Sequence, residues 1–124
     1  MAEAIARYDA ADVMEPSSAG LVPLGYIADL TKQTLARNGY SADGLTSKGL
    51  ARDVAERADL IINMTGERRE GNYGDVDKVE DWIVEDPYGA DPETYQRVFE
   101  SIRRRVNQLA LSLREKRQSR RAAG

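Results

Sequence analysis

The side chains here that can do chemistry are carboxylates, amines, guanidiniums and hydroxyls, because the sequence contains neither cysteine nor histidine. Thiol nucleophiles, disulfides, thiolate metal sites and histidine acid–base catalysis are therefore excluded within these 124 residues. The carboxylate in the most telling position is Asp86, in Asp86-Pro87-Tyr88-Gly89 directly after the apolar run Trp82-Ile83-Val84. Taken alone this tetrapeptide is a turn, since Asp bonds nearby backbone and Pro fixes φ. Its place after an apolar run and before a long helix raises it, because chemistry in α/β sheets collects at the carboxyl ends of strands. Ser17 and Ser18 read on their own as turn residues, and Arg68 and Arg69 as a solvated turn before an anion site. The acidic group Asp75, Asp77, Glu80, Asp81, Glu85 and Asp86 lacks the alternating oxygen register and closing Glu of a calcium loop, so no metal site is expected. No Walker or dinucleotide glycine pattern occurs, and no cofactor is expected.

The elements that must position these groups emerge from periodicity. Met1 to Ala11 reads as an Ala-rich helix with Ile5 and Tyr8 on one side. Val13-Met14 reads as a short extended piece, and Leu21 to Tyr26 as a loop. Ile27 to Asn38 is the next helix, with Gly39 placed as its C-terminal stop. Ser47 is positioned to cap a helix carrying Leu50, Val54 and Ala58. Asp59 to Met64 is the clearest strand, a continuous apolar run of the buried parallel kind. Thr65 caps a brief turn through Arg69, and Asp75 to Asp81 reads as a short helix. Trp82-Ile83-Val84 comes next as a second strand. Asp91 caps and Pro92 opens the longest helix, whose stripe is Tyr95, Val98, Ile102, Val106, Leu109 and Leu113. The order helix–strand–helix–helix–strand–strand–helix is α/β, a small parallel sheet with helices on both faces.

Composition sets the outer limits. Hydrophobic residues make up 41% and charged residues 31%, values of a globular domain rather than a disordered chain. Residues 1–118 read as one domain and 119–124 as a basic tail. No apolar run approaches the roughly 20 residues that cross a bilayer, and no leader is evident, so no membrane partner and a cytoplasmic location are expected. The net charge of −3 is uneven: residues 1–90 carry 9 basic against 17 acidic side chains, residues 91–124 carry 9 against 4. Cations near the end of a helix suit its dipole. Without interleaved aromatics, Arg114, Lys116, Arg117, Arg120 and Arg121 give nucleic-acid binding little support.

Several segments, in order and spacing, resemble low-molecular-weight protein-tyrosine phosphatases, a family that includes the thioredoxin-linked arsenate reductases. They are Met1-Ala2-Glu3-Ala4-Ile5-Ala6-Arg7, Ser18-Ala19-Gly20, Asn38-Gly39-Tyr40-Ser41 with Ser47-Lys48, Ala58 through Thr65, and Trp82 through Gly89. In that family a helix similar to the first segment comes after a phosphate-binding loop of Cys, five residues, Arg, then Ser-Pro. The Cys thiolate attacks phosphorus, while loop amides and the Arg hold the equatorial oxygens. The resemblance implies that Asp86 is the general acid protonating the leaving phenolate. It makes Tyr88 an aromatic wall for a phosphoaryl substrate, and gives Ser18 the hydroxyl that buttresses the phosphate loop. The implied substrate is a phosphotyrosine protein or a small aryl phosphate.

This sequence departs from the family at the decisive point, for it has neither the Cys-containing loop nor the strand before it. The expectation is a chain inactive as it stands, its start assigned at an internal Met; the alternative is a pseudophosphatase that binds a partner or self-associates. In the family that strand is central, between the second and third. Its place must be filled, either by the Val13-Met14 region closing onto the third strand or by exchange of elements in a homodimer.

Overall fold

The structure, a computed structural model, describes residues 1–20, 25, 27–67, 76–87 and 89–123. The elements in order are α1 (Ala2–Asp9), α2 (Asp29–Arg37), α3 (Arg52–Arg57), β1 (Ile61–Asn63), a 3-10 turn (Val76–Lys78), β2 (Val79–Asp81) and α4 (Pro92–Ala123). They fall into two units, one made of Met1–Ser18, Ile27–Leu45 and Asp86–Gly124, the other of Ala19–Tyr26 and Thr46–Glu85.

The first unit is built on α4. Asp91 accepts from the Thr94 N–H at 2.8 Å, and Pro92 stands at the first helical position where no N–H is needed. The stripe is buried at Tyr95, Val98, Ile102 and Val106. Leu109 and Leu113 are half-buried instead, and Phe99 and Ala110 join the core with no exposed surface. Phe99 lies one position beyond the counted stripe and widens it, its ring edge-on to Tyr40 at 5.6 Å. On α1, Ile5 is buried as expected but Tyr8 is 58% exposed. Tyr8 packs edge-on against Tyr40 at 5.7 Å. α2 ends as its sequence says: Gly39 has φ of 85°, the Gly39 N–H reaches the Ala36 carbonyl at 3.1 Å and the Tyr40 N–H the Leu35 carbonyl at 2.9 Å. That pattern satisfies two end carbonyls and needs a left-handed residue.

The second unit holds the sheet. β1 and β2 run parallel, pairing Ile61 with Val79, Ile62 with Glu80 and Asn63 with Asp81. The fold is thus α/β with a small parallel sheet, and among the described residues the sheet has two strands. Asn63 is its polar hub. Its amide donates to Asp81 and to the Glu67 carbonyl, each at 2.9 Å. Its oxygen accepts from the Thr65 N–H and hydroxyl. Lys78 donates to the Ala55 and Glu56 carbonyls at 2.6 and 3.0 Å, a cation at the C-terminal end of α3.

Five expectations are corrected. Val13-Met14 is not extended: both N–H groups turn back onto the Ala10 carbonyl. The second strand is Val79–Asp81 rather than Trp82–Val84. The Asn63–Asp81 side-chain bond supports that register, and the ladder runs on through the Trp82 N–H to the Asn63 carbonyl. Trp82 turns inward while Ile83 is 91% exposed. Asp77 and Lys78 belong to a 3-10 turn rather than to a helix reaching Asp81. β1 is half-buried at Ile61 and Ile62 rather than fully enclosed. Ser47 caps no helix, because its hydroxyl accepts from the Gly25 N–H at 2.9 Å. α3 starts later, behind Ala51.

Candidate functional site

The sequence singles out three residues for function: Asp86, Ser18 and Tyr88. Asp86 and Ser18 lie in the first unit, while Tyr88 falls outside the described residues. Asp86 is exposed, in the coil between β2 and α4. The turn on its C-terminal side is firmly built. The Ala90 N–H closes it onto the Pro87 carbonyl at 2.8 Å. Gly89, with φ of 80°, occupies the turn position that only glycine takes without strain. Asp91 then caps α4, its carboxyl held below the ordinary range by hydrogen bonds from the Thr94 side chain and N–H. Pro87, Gly89 and the capped helix together pin the backbone on which Asp86 sits.

Ser18 reaches toward the N-terminal end of α1. Its hydroxyl donates to the Glu3 carboxylate at 2.6 Å. Glu3 is 5% exposed, and its other oxygen is ion-paired with Arg7 one turn along the helix. Arg7 donates onward to the Asp43 carbonyl at 3.4 Å. The Met1 amine lies beside this group; burial pushes it below the ordinary amine value and the Glu3 charge partly restores it. Glu3 is the residue that reading the sequence missed. Its signal was present as an acid four residues before Arg7, but such pairs are usual on solvated helix faces. The geometry gives Glu3 a positioning role, tying the Ser18 segment to the start of α1.

Arg68 and Arg69, the other candidates for anion binding, lie outside the described residues, as does Asp75. Among the described residues no cluster of three or more acidic side chains is arranged to hold a metal ion. Asp81, from the acidic run, is bonded to Asn63.

Residues 1–119 match the family described as low molecular weight phosphotyrosine protein phosphatase. A putative arsenate reductase from Halobacterium salinarum is 25% identical over 100 residues, covering 81% of this chain and 70% of that protein. Among solved structures, an arsenate reductase in its phosphate-binding state superposes with a TM-score of 0.80 at 24% identity, over 90% of this chain and 86% of the other. The arginine phosphatase YwlE, with a phosphorylated active-site serine, gives 0.80 at 24% identity over 94% and 88%. These structures share the fold. The match over residues 1–119 carries the assignment: the chain belongs to the low molecular weight phosphotyrosine protein phosphatase family.

Proposed function

We propose that this chain carries the leaving-group half of an aryl-phosphatase site, with Asp86 as the general acid, and that residues 1–124 alone do not turn over. The observation that carries this reading is the built turn behind Asp86, in a chain that has no cysteine. Phosphoryl transfer in this family needs a thiolate to displace the phenolate, an anion cradle for the equatorial oxygens, and a proton for the departing oxygen. Asp86 offers the proton. Ser18, anchored on Glu3, braces the segment beside the start of α1, and Tyr88 flanks the aryl ring. A phosphotyrosine protein or a small aryl phosphate is the substrate class, and no cofactor is required.

The test uses para-nitrophenyl phosphate. The 124-residue chain should give no turnover above background; turnover would sink the requirement for a thiolate. The same chain, preceded by a strand and a Cys-x5-Arg loop, should gain activity. In that enzyme Asp86→Asn should lower kcat by about 10²- to 10⁴-fold, least for leaving groups that depart without a proton.

The lack of a nucleophile favours a second reading, a non-catalytic protein acting by partner binding or self-association as a homodimer. It predicts that the extended chain stays silent and that the chain as given captures a phosphotyrosine protein or itself. Among the described residues no helix is long and apolar enough to cross a membrane; a cytoplasmic setting is part of the proposal.

A further inference from the structure

β2 pairs along one edge of β1, and among the described residues no strand lies along the other. In a parallel ladder alternate residues bond to the neighbouring strand, and those between them point away. The Asn63 carbonyl accepts from the Trp82 N–H, so Asn63 and Ile61 bond toward β2. The N–H and carbonyl of Ile62 therefore point to the open edge, as do those of Leu60 and Met64. The strand around them is apolar. Leu60 is 40% exposed, and Ile61, Ile62 and Met64 are half-buried. Strand edges are commonly guarded by charge. Here β2 has its guard in the exposed carboxylates of Glu80 and Asp81, whereas β1 carries no charge from Leu60 to Met64.

We propose that the open edge of β1 pairs with the same edge of a second copy, antiparallel, about a two-fold axis at Ile62. The proposal rests on the reading of this chain as self-associating, and it names the surface. Outward N–H and carbonyl groups select an extended strand, and a two-fold axis makes one edge its own complement. With the axis at Ile62, the two copies of Ile62 exchange both backbone bonds, and Leu60 lies opposite the partner's Met64. Apolar side chains then face apolar ones, and each Asp59 meets the partner's Thr65 rather than another carboxylate. The same operation on the outer edge of β2 brings Glu80 and Asp81 of two copies together, which like charge opposes. Two strands alone make a marginal sheet, and pairing through β1 builds one of four.

The test is analytical ultracentrifugation of the full chain between about 10 μM and 1 mM, where monomer should pass to dimer. The Ile62 amide should exchange with deuterated solvent slowly in the dimer and quickly in dilute solution. Ile62→Pro removes an outward N–H and none of the bonds to β2, a change that edge strands tolerate. It should weaken the dimer about tenfold or more. Leu60→Lys, at a position already exposed, should weaken it to a similar extent. Mixing Leu60→Lys with Met64→Glu should restore the dimer, since this register sets lysine against glutamate. Val54→Lys, at a comparably exposed apolar position on α3, should change nothing. The proposal is overturned by a chain that stays monomeric throughout, by an equal loss with Val54→Lys, or by a mixture no tighter than either variant alone. A monomer that takes up a synthetic valine-rich strand peptide at Ile62 overturns it as well. Association that survives both Ile62→Pro and Leu60→Lys overturns the β1 edge while leaving the self-associating reading standing.

Discussion

Glu3 shows how much one residue can settle. A carboxylate removed from water needs partners, and those of Glu3 include the Arg7 guanidinium and the Ser18 hydroxyl. Glu3→Ala should destabilise the chain by about 1–3 kcal/mol in urea unfolding, because it removes a charge-assisted hydrogen bond and an ion pair together. Ser18→Ala should cost about 1 kcal/mol or less, for it loses one bond at an exposed edge. If Glu3 positions the Ser18 segment, Glu3→Gln should keep stability closer to the parent than Glu3→Ala does. Asp12 makes a second prediction. Hydrogen bonding from Arg114 lowers its carboxyl from 3.8 to about 2. The pair therefore contributes stability in full above 3.8, and that contribution disappears as pH falls through about 2. Unfolding midpoints measured down this range should fall more steeply for the parent than for Asp12→Asn, and added salt should narrow the gap. Tyr40 is the third case: burial, then the hydrogen bond to Asp9 at 2.7 Å, raises its hydroxyl above 10.0. In an ultraviolet pH titration a tyrosine ionising above the ordinary range should vanish in Tyr40→Phe.

Among elements, local signals were legible and pairings were not. Asp91-Pro92 marked the start of α4 and Gly39 the end of α2, because caps are written in adjacent residues. The stripe of α4 was legible by its spacing, but Phe99 fell between counted positions, although it is fully buried. Phe99→Ala should cost about 3–5 kcal/mol, since it also removes the ring that meets Tyr40 and the Arg103 guanidinium that sits 5.2 Å above it. Gly39→Ala should cost about 1–2 kcal/mol from its left-handed φ alone. Both are read from thermal or urea unfolding. β2 was misplaced because hydrophobicity favoured Trp82-Ile83-Val84, whereas the ladder is set by partners far along the chain. No periodicity announces that Asn63 will bond Asp81. Ser47 was misread for the same reason, its hydroxyl being taken by Gly25 rather than by the helix after it.

For the molecule as a whole, order and spacing of weak segments identified the family where no single motif did. The proposed site rests on one tetrapeptide, Asp86-Pro87-Tyr88-Gly89, whose residues are neighbours in the sequence. The bond from Ser18 to Glu3 was not legible, because its partners lie 15 residues apart. Two cations near the basic end of α4 also have partners that the sequence did not announce: Arg114 reaches the Asp9 carbonyl at 2.8 Å and Arg117 the Asp12 carbonyl. They sit at the C-terminal end of α1, whose carbonyls carry the negative end of that dipole.

The clasp between Arg114 and Asp12 joins positions 102 residues apart, and that separation bears on the order in which the chain folds. Bringing such distant positions together costs loop entropy that nearby contacts escape. An exposed ion pair returns too little to be made before the helices beneath it have packed. The clasp should therefore be absent from the transition state for folding. In stopped-flow experiments Arg114→Ala should speed unfolding while leaving the refolding rate of the parent almost unchanged. The last contact made would then be the first released, and how long the native chain persists would be set near its two ends.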